Sequence, residues 1–266
     1  MTEPRTRLMG APMASVTEAR AVQTIIEAAQ AGRGHWTITA NLDHLRRYHR
    51  KSIATDLIEE ADMVVADGMP LIWASRLAGE PLPERVSGSR MVWSICEAAS
   101  RGKQSLFLLG GNPGIAERAA QIFQDHYPGL EVVGTDCPPL GFEDDEREIE
   151  RIRGRLAETK PQIVFVALGF PKQDLLIRDL RSSSPGAAFL GVGISLSYVT
   201  GEVSRAPDWI CRIGLEWAYR LSQEPTKRLA RRYLIDGLPF GVRLMLSAAR
   251  RRNSRKRPGT SESWDD

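Results

Sequence analysis

Apolar runs alternate with amphipathic stretches over residues 15–200 of this chain. Each run ends on glycine or on a polar side chain, which is typical of buried β-strands. The runs cover residues 35–41, 61–68, 105–111, 130–134, 163–169 and 187–193. Between them, apolar residues recur three or four positions apart, which predicts helices. Strands that alternate with helices in this way predict an α/β fold: a Rossmann-like, mostly parallel sheet with helices on both faces.

Side chains that can cap a helix mark three predicted helix starts in this region. Ser15-Val16-Thr17-Glu18 has the spacing of a capping box and opens a helix that ends near Gly32. Thr55 is the expected cap of the helix that leads to residue 61. Asn112-Pro113 offers a cap and a first-turn proline, which predicts a helix from there to about Tyr127.

The pattern changes after Gly201, where three helical stretches replace the strand–helix alternation. They cover residues 215–222, 228–235 and 240–251, and prolines at 225 and 239 separate them. We therefore predict three parts: a Rossmann-like domain at residues 1–205, a basic helical appendage at 206–252, and a polar, disordered tail at 253–266.

The last of these helices is both apolar and basic. It carries Phe240, Val242, Leu244, Met245 and Leu246, with Arg243 and Arg250-Arg251-Arg252 on it or beyond it. A helix of this composition suits a membrane surface. It suits equally an amphipathic helix packed on the domain, and the sequence leaves both interpretations open.

The formal net charge of +3 hides an uneven distribution. Residues 205–257 carry 14 Lys and Arg against four acids, a net charge of +10. Residues 1–204 carry 22 basic and 26 acidic groups, a net charge of −4, and the last nine residues carry −3. A basic C-terminal quarter on a mildly acidic body predicts an anionic partner, such as membrane headgroups, a diphosphate or nucleic acid.

The overall composition is that of a soluble globular protein. Of the 266 residues, 42% are hydrophobic and 26% are charged, and no apolar run approaches the ~18 residues that cross a bilayer. The N-terminus lacks the apolar segment of a secretion signal. Three scattered cysteines and four histidines without paired spacing predict reduced thiols and no metal site. These features favour a cytoplasmic protein.

The strand at residues 61–68 ends abruptly on Asp67-Gly68. In an open parallel sheet, ligands bind just beyond the carboxyl ends of the strands. A carboxylate there, followed by a glycine that lets a substrate approach the backbone, is a candidate general base. The alternative is that Asp67 caps the helix that begins near Pro70, which is the commoner use of such an aspartate.

Three other strand ends also deliver polar or glycine residues, and a parallel sheet brings all of them to one edge. They are Thr39 with Asn41, Gly110-Gly111-Asn112, and Gly169 with Pro171-Lys172-Gln173. The N–H groups of the glycine pair could face a phosphate at a helix N-terminus, although glycine turns without a ligand are common. Lys172 and Gln173 could hold a diphosphate or a uracil edge, or lie in a solvated first turn.

Three common catalytic motifs are missing from the sequence. The chain has no Gly-x-x-x-x-Gly-Lys-Ser/Thr loop, which argues against P-loop ATPase chemistry. No Gly-x-Gly-x-x-Gly follows the first strand, which argues against a dinucleotide-dependent dehydrogenase. No Gly-x-Ser-x-Gly elbow of a hydrolase is present.

Short motifs follow one another in a fixed order across residues 15–245. They are Thr39-x-Asn41, Ala61-Asp62, Ala66-Asp67-Gly68, Glu84-Arg85-Val86-Ser87-Gly88, Leu108-Leu109-Gly110-Gly111-Asn112-Pro113, Tyr127-Pro128-Gly129-Leu130, Pro138-Pro139-x-Gly141-Phe142, Gly169-x-Pro171-Lys172-Gln173, Arg205-Ala206-Pro207-x-Trp209 and Gly214-Leu215-Glu216-Trp217-x-Tyr219-Arg220-Leu221. In this order and spacing they resemble the WecG/TagA/CpsF family of bacterial glycosyltransferases, far beyond chance for such short words.

The resemblance implies a Rossmann-like glycosyltransferase that works without a bound metal or other cofactor. Such an enzyme moves a sugar from a UDP-sugar donor to a lipid-linked acceptor, an undecaprenyl-diphosphate-linked saccharide, and inverts the anomeric centre. It acts in cell-surface polysaccharide synthesis as a peripheral protein on the inner, cytoplasmic face of the plasma membrane. N-acetylmannosamine, its uronate and glucose are the candidate sugars.

The resemblance also implies roles for individual residues. Asp67 matches the family's proposed general base, and Thr39 and Arg85 match positions associated with its active site. The expected substrate-binding residues are Asn41, Gly68, Gly110, Gly111, Asn112, Gly169, Pro171, Lys172, Gln173, Gly191 and Gly193. The basic segment at about 206–251 would meet an anionic membrane surface.

Positive charge is also needed near a departing UDP. The sequence has no Asp-x-Asp metal motif, so this charge would come from helix N-termini and from guanidinium groups, which match phosphates bidentately. The candidates are Arg85, Arg220, Arg228, Arg231 and Arg232, and for the C-terminal ones a solvated or headgroup contact is the alternative.

The chain departs from the family pattern at several positions. Where the family reads Gly-Val-Gly-Gly-x-Phe-Asp, Ile194 replaces a glycine and Ser197 replaces the aspartate. Asp174 stands in place of a glutamate, and Thr226-Lys227-Arg228 is one residue longer than the usual proline-to-arginine spacing. These departures bear on donor specificity and on the arginine positions more than on the fold.

Two other functions stay open on sequence grounds. A nucleotide-sugar-modifying oxidoreductase would share the fold class but should carry the missing glycine fingerprint. A basic protein that binds an anionic ligand or nucleic acid without catalysis would explain the C-terminal charge, but no nucleic-acid-binding fold signature is present. We expect no nucleic-acid partner, and assembly into a homo-oligomer stays open.

Overall fold

The computed structural model describes residues 3–255, and its centre is a parallel β-sheet. The strands are β1 (Arg5–Leu8), β2 (Ala11–Ala14), β3 (His35–Ala40), β4 (Met63–Ala66), β5 (Ser105–Gly110), β6 (Glu131–Asp136), β7 (Ile163–Ala167) and β8 (Ala188–Gly191). Six of them form the sheet in the spatial order β4-β3-β8-β7-β5-β6, and every neighbouring pair is parallel. The predicted strands and the predicted Rossmann-like fold class are confirmed.

Helices connect the strands and form the C-terminal part of the chain. They are α1 (Glu18–Gln30), α2 (Leu42–His49), α3 (Ile53–Glu60), α4 (Met69–Leu77), α5 (Gly88–Gly102), α6 (Ile115–His126), α7 (Glu146–Thr159), α8 (Lys172–Ser183), α9 (Ser195–Thr200), α10 (Asp208–Arg212), α11 (Glu216–Gln223), α12 (Lys227–Ala230) and α13 (Leu238–Arg255). A short 3₁₀ helix covers Phe142–Asp144, and π-helical turns cover Arg231–Gly237.

Both faces of the sheet are covered by apolar side chains, as expected for parallel strands. In β7, Val164 and Val166 belong to one hydrophobic core, whereas Ile163, Phe165 and Ala167 belong to the other. This arrangement explains the uninterrupted apolar run of that strand in the sequence. Because neither face is open to water, polar chemistry is confined to the ends of the strands.

Two predicted helix caps are wrong: the Ser15-x-x-Glu18 capping box does not form, because α1 begins two residues later than it requires, and Thr55 does not cap α3. The Thr17 hydroxyl accepts a hydrogen bond from the Arg20 N–H at 3.2 Å and caps α1. α3 is capped instead by Ser52, whose hydroxyl accepts from the Ala54 N–H. Thr55 lies inside α3, and its hydroxyl donates to a backbone carbonyl of α2. Two hydroxyl residues three positions apart compete for such a cap, and the first one takes it.

The turn after β5 also differs from the prediction. α6 begins at Ile115 and not at Asn112-Pro113, because Gly110, Gly111 and Gly114 all have positive φ and turn the chain first. The prediction that Asn112 caps this helix is therefore wrong. Its Nδ2 donates to Oε1 of Glu202 at 2.6 Å.

The antiparallel hairpin of β1 and β2 was not among the predicted elements. Its two-residue turn, Met9-Gly10, has positive φ at both positions, 47° and 87°, which matches the twist of a tight hairpin. Strands of four residues give too little alternation to be predicted. The same brevity explains why α9 and α10, of six and five residues, were not predicted.

The predicted break at Pro239 is wrong, since the chain stays helical from Lys227 to Arg255. The π-helical turns at Arg231–Gly237 interrupt the regular i→i−4 ladder just before this proline. A proline costs least where that ladder is already interrupted. Residues 253–255 belong to α13, so the predicted disordered tail does not begin at residue 253; residues 256–266 lie outside the described residues.

Helix α13 has one buried and one exposed apolar face. Phe240, Leu244 and Ala248 are spaced four residues apart and join one of the two cores. Val242 and Leu246 are 62% and 55% exposed. The helix therefore packs on the domain, which was one of the two interpretations that the sequence left open. It also has a second apolar face that is exposed. The predicted domain boundary at residue 205 stays a prediction.

We searched the described residues for a helix long and apolar enough to span a membrane and found none.

We expect Leu244→Ala to lower the free energy of unfolding by about 2–5 kcal/mol, because it leaves a cavity at a fully buried position. Urea denaturation followed by circular dichroism measures this change. The matched control is Leu246→Ala on the exposed face of the same helix, which should change stability by no more than about 0.5 kcal/mol. Equal losses in both variants would contradict the packing of α13 described above.

Candidate active site

Asp67 lies directly after β4, at the carboxyl end of the sheet. Its backbone N–H donates to the carbonyl of Ala40 at 2.7 Å, which extends the pairing of β3 and β4 to the strand ends. Its Oδ2 accepts a hydrogen bond from the Gly88 N–H at 3.3 Å, at the beginning of α5. α4 is preceded by Gly68 and has no side-chain cap. The alternative role of Asp67 as the cap of α4 is therefore wrong, and its carboxylate faces another helix N-terminus.

The surroundings of Asp67 raise its pKa to about 7. Burial is the largest cause, and the negative charge of Glu216 acts in the same direction. The positive charges of Arg85 and Arg205 and the hydrogen bond from the Gly88 N–H oppose this rise. A carboxyl group with a pKa near neutrality is suited to take up a proton during a reaction.

Arg85, in the loop between α4 and α5, acts on this carboxylate through its charge. Its Nη1 forms an ion pair with Oε2 of Glu216 at 2.8 Å, and its side chain is only 13% exposed. Glu216 is the first residue of α11, so the ion pair joins the C-terminal segment to the sheet edge. Sequence reasoning missed Glu216, although it stands in the quoted Gly214-Leu215-Glu216-Trp217 motif. The sequence pointed only to arginines as charged site residues in that segment.

Thr39 lies beside the same group of residues. Its hydroxyl donates to the carbonyl of Gly191 at 3.2 Å and bridges β3 to β8. A Cβ atom on Gly88 would come within 3.2 Å of the Thr39 Oγ1 and 3.6 Å of the Ser195 Oγ. The predicted residues Thr39, Asp67 and Arg85 are thus brought to one edge of the sheet, and Ser195 joins them as a residue that the sequence did not indicate.

Asn41 has a clear structural role at the next helix. Its Oδ1 accepts hydrogen bonds from the Asp43 N–H at 3.0 Å and from the His44 N–H, so it caps α2. Burial lowers the pKa of His44 to about 3, so this histidine is neutral. The predicted contact of Asn41 with substrate stays a prediction.

The glycine turn after β5 is explained by crowding of the backbone. Gly110 has φ +102°, and a Cβ atom there would lie 2.7 Å from the carbonyl oxygen of Ala167. The Gly111 N–H donates to that same oxygen at 2.8 Å. In this structure the Gly111 N–H is therefore engaged within the protein, and its predicted phosphate contact stays a prediction.

Gln173 holds two of the other predicted strand ends together. Its buried Oε1 accepts hydrogen bonds from the Gly169 N–H at 3.2 Å and from the Gly193 N–H at 3.0 Å. A Cβ atom on Gly191 would lie 2.5 Å from its Nε2. The residue before it, Lys172, forms an ion pair with Glu143. The carboxyl ends of β7 and β8 thus bring together five of the predicted residues: Gly169, Pro171, Gln173, Gly191 and Gly193.

Asp174 follows Gln173 in α8 and lies under the surface beside this group. It is completely buried, and the Trp36 Nε1 donates to its Oδ1 at 3.3 Å. Burial raises its pKa to about 7, against the hydrogen bonds from Gln173 and Trp36.

The four predicted C-terminal arginines lie in different surroundings. Burial raises the pKa of the Tyr198 phenol to about 12, the charge of Arg220 opposes this rise, and the charge of Asp67 adds to it. Arg232 faces Asp43 of α2 at 3.5 Å. Arg228 and Arg231 are exposed. The structure therefore brings Arg220 towards the Asp67 group and the other three elsewhere.

Arg205 is a further cation that sequence reasoning left out of its candidates. It lies in the link between α9 and α10, and its charge acts on Asp67. The Nε atoms of Arg205 and Arg220 are buried and have no hydrogen-bond partner among the described residues, whereas Nη2 of Arg205 forms an ion pair with Oδ1 of Asp208 at 3.6 Å. Buried guanidinium donors without partners are available for an anionic ligand. The Arg205-Ala206-Pro207 motif was the sequence signal that could have indicated this residue.

Comparison with known proteins places this geometry in context. A sequence model described as the glycosyl transferase WecG/TagA/CpsF family matches residues 6–254. The chain belongs to this family of glycosyltransferases. A relative from Bacillus spizizenii is 30% identical over 195 residues, which cover 73% of this chain and 74% of the relative. One from Staphylococcus aureus strain MW2 is 30% identical over 206 residues, 77% and 78% of the two chains. Both are named N-acetylglucosaminyldiphosphoundecaprenol N-acetyl-beta-D-mannosaminyltransferase.

Membership of the WecG/TagA/CpsF family confirms the resemblance inferred from the motifs. It also identifies the chain as a glycosyltransferase, in preference to a nucleotide-sugar oxidoreductase. Within residues 3–255, we find no group of three or more His, Cys, Asp or Glu side chains arranged to hold a metal ion.

The departure of this family member at Ser197 has a structural counterpart. The carboxylate of Glu202 accepts hydrogen bonds from the side chains of Ser197 and Asn112, and these contacts lower its pKa. A carboxylate is therefore present beside Ser197, although it comes from a residue five positions later. Sequence reasoning did not indicate Glu202.

We expect Gln173→Leu to leave the partly buried N–H groups of Gly169 and Gly193 without an acceptor. Each unsatisfied group should cost about 1–3 kcal/mol of stability, and both amides should exchange their hydrogens faster. Denaturant unfolding and amide hydrogen exchange measure the two effects. Gln121→Leu on α6, an exposed position, is the control and should change stability by no more than about 0.5 kcal/mol. Unchanged exchange at both glycines would contradict the role given to Gln173.

Proposed function

We propose that the protein transfers a hexosaminyl group from a UDP-sugar to a saccharide carried on undecaprenyl diphosphate, with inversion at the anomeric carbon. The observation that carries the proposal is the Asp67 carboxylate, which lies at the carboxyl end of the sheet among Thr39, Arg85 and Glu216. Family membership supports the reaction class.

The names of the relatives favour one pair of substrates. They specify an N-acetylmannosaminyl group and an N-acetylglucosaminyl-diphosphoundecaprenol acceptor. We extend both to this chain, in preference to the uronate and glucose alternatives. The reaction would serve the assembly of a cell-surface polysaccharide.

Asp67 acts as the general base in this proposal. It takes the proton from the acceptor hydroxyl as the hydroxyl oxygen attacks the anomeric carbon of the donor. The bond from that carbon to the UDP oxygen breaks at the same time, and UDP leaves with the electron pair. A base with a pKa near 7 matches a reaction at neutral pH, because enough of it is ionised and it is still basic enough to accept the proton.

Negative charge develops on the departing UDP, and arginines stabilise it in this proposal without a bound metal. The buried Nε donors of Arg205 and Arg220, which have no hydrogen-bond partner among the described residues, support this role. The charge of Arg205 acts on Asp67, and Arg220 and Asp67 both act on Tyr198. Guanidinium groups are suited to diphosphate oxygens by shape and charge. Arg228, Arg231 and Arg232 stay candidates for contacts with the lipid-linked diphosphate.

We expect Asp67→Asn to lower turnover by about 10²–10⁴-fold, because asparagine cannot take up the proton. Asparagine still offers an oxygen to the Gly88 N–H, so folding and UDP affinity should change little. Mass spectrometry with a UDP-N-acetylmannosamine donor and an N-acetylglucosaminyl-diphospholipid acceptor measures turnover, and calorimetry measures UDP binding. Asp56→Asn on the exposed side of α3 is the control. Near wild-type turnover in Asp67→Asn would refute the base.

The second part of the proposal concerns the membrane. Arg228, Arg231, Ile235, Leu238, Val242 and Leu246 follow one another at intervals of three or four residues, and all six are exposed. This basic and apolar stripe is defined here as the membrane-facing stripe. Its composition suits the interface of an anionic bilayer, where arginines meet headgroups and apolar side chains enter below them. We therefore propose peripheral binding at the inner face of the plasma membrane, where the lipid-linked acceptor is anchored.

We expect the double variant Ile235→Glu/Val242→Glu to lose binding to vesicles that contain anionic phospholipid, because it adds negative charge and removes apolar area. Vesicle co-sedimentation at low and high salt measures binding, and higher salt should weaken that of the wild type. Ile53→Glu, a comparable exposed isoleucine on α3, should bind like the wild type. Retained binding in the double variant would contradict the membrane-facing stripe, and an equal salt-dependent shift with DNA would favour a nucleic-acid partner.

A further inference from the structure

The ion pair between Arg85 and Glu216 links residues 131 positions apart in the sequence. Arg85 belongs to the loop that leads into α5, beside the catalytic carboxylate. Glu216 belongs to α11, in the basic C-terminal segment. The contact of 2.8 Å is made by a guanidinium that is 13% exposed and a carboxylate that is 34% exposed. A pair that is this well shielded from water keeps much of its electrostatic strength.

Arg85 has two carboxylates within its electrostatic reach. Asp67 stabilises its positive charge through the field of its carboxylate, and Glu216 does so through its charge and a hydrogen bond. However, the ion pairs found among the described residues include Arg85 with Glu216 and do not include Arg85 with Asp67. The ion pair with Glu216 therefore keeps the Arg85 guanidinium out of direct contact with Asp67.

This choice of partner has a chemical consequence for Asp67. A direct contact with a guanidinium would stabilise the ionised carboxylate and make it a poorer proton acceptor. With Glu216 in place, Arg85 is engaged elsewhere and a second negative charge lies near the base. Glu216, from the C-terminal segment, thus keeps Asp67 a stronger proton acceptor than a direct contact with Arg85 would allow.

We propose that Glu216 is a positioning residue for the transfer reaction: docked on Arg85, it withholds the guanidinium from Asp67 and makes a strong base depend on the docked C-terminal segment. This inference rests on the proposed function of Asp67 as the base. Glu216 itself does not contact the reacting atoms in this proposal.

Other charged and titratable groups also face Asp67 and have to be considered. Arg205 adds positive charge from the link between α9 and α10, and the Gly88 N–H donates from α5. Burial raises the pKa of Tyr198 in α9 to about 12, and burial likewise raises the pKa of the Cys211 thiol in α10. Both groups are neutral around pH 7, so they do not titrate with the base. Glu216 is thus the charge whose removal should be visible in the titration of Asp67.

The test compares pH profiles of kcat and kcat/KM for the wild type and Glu216→Gln. Glutamine keeps the size of the side chain but releases Arg85 towards Asp67. We expect the acid limb to move down by about one to three pH units, with a lower plateau, since the base becomes weaker. Glu216→Asp should restore part of the wild-type profile. Glu224→Gln, at the other end of α11, is the matched control and should leave the profile unchanged. An unmoved acid limb in an active Glu216→Gln variant would overturn the proposal.

A second measurement does not depend on activity. The ¹³C chemical shift of the Asp67 carboxyl, identified by its loss in Asp67→Asn, is titrated by NMR in the folded wild type and in Glu216→Gln. A lower midpoint in the variant supports the proposal, and the same midpoint in both proteins overturns it. If the wild type transfers no sugar from any UDP-sugar tested, the proposed function fails, and the NMR titration still decides whether Glu216 governs Asp67.

Discussion

The whole protein depends on a parallel sheet that is buried on both faces. Alternate residues of β7 belong to two apolar cores: Val164 and Val166 to one, and Phe165 with its other neighbours to the second. A charged side chain along that strand would be buried without a partner, which costs much free energy. Polar groups are displaced to the carboxyl ends of the strands, where loops replace the sheet. Thr39, Asp67, Gly110, Gly169 and Gly193 all lie there. The chemistry of the protein is concentrated at one edge because the rest of the sheet excludes it.

At that edge, charges from distant parts of the chain are balanced against one another. The Asp67 carboxylate comes from the end of β4, the Arg85 guanidinium comes from the loop before α5, and the Glu216 carboxylate that pairs with Arg85 comes from α11. The same C-terminal segment contributes unpartnered arginine donors and carries the membrane-facing stripe. In the functional scheme proposed here, one segment therefore serves the base, the leaving group and the lipid surface. Its helix α13 is held on the domain by Phe240, Leu244 and Ala248, which keeps these parts together.

The fold and half of the site could be predicted from the sequence because they follow from local patterns. The strand at 163–169 is apolar throughout, and the Asp67-Gly68 end can be recognised from its neighbours alone. Thr55, Asn112 and Pro239 were misjudged because competing local signals decide such positions: an earlier hydroxyl, three glycines and a π-helical turn. Glu216 and Arg205 were missed for another reason. Their importance arises from contacts across more than a hundred residues, and such contacts leave no periodicity in the sequence.

Burial of two carboxyl groups ties the activity of this protein to its thermodynamic stability. Asp67 and Asp174 have pKa values of about 7 in the folded protein, whereas an aspartate in an unfolded chain has a pKa of about 4. Between these values the folded state keeps protons on the two carboxyls that the unfolded state has released, so their contribution to stability falls as the pH rises from about 4 to about 7. The buried, neutral His44 contributes in the opposite direction over part of this range. The ionised Asp67 that the proposed reaction requires is formed over the same range. If Asp67 is the base, the pH that makes it active is therefore also the pH at which the stabilising contribution of its protonated form has been lost.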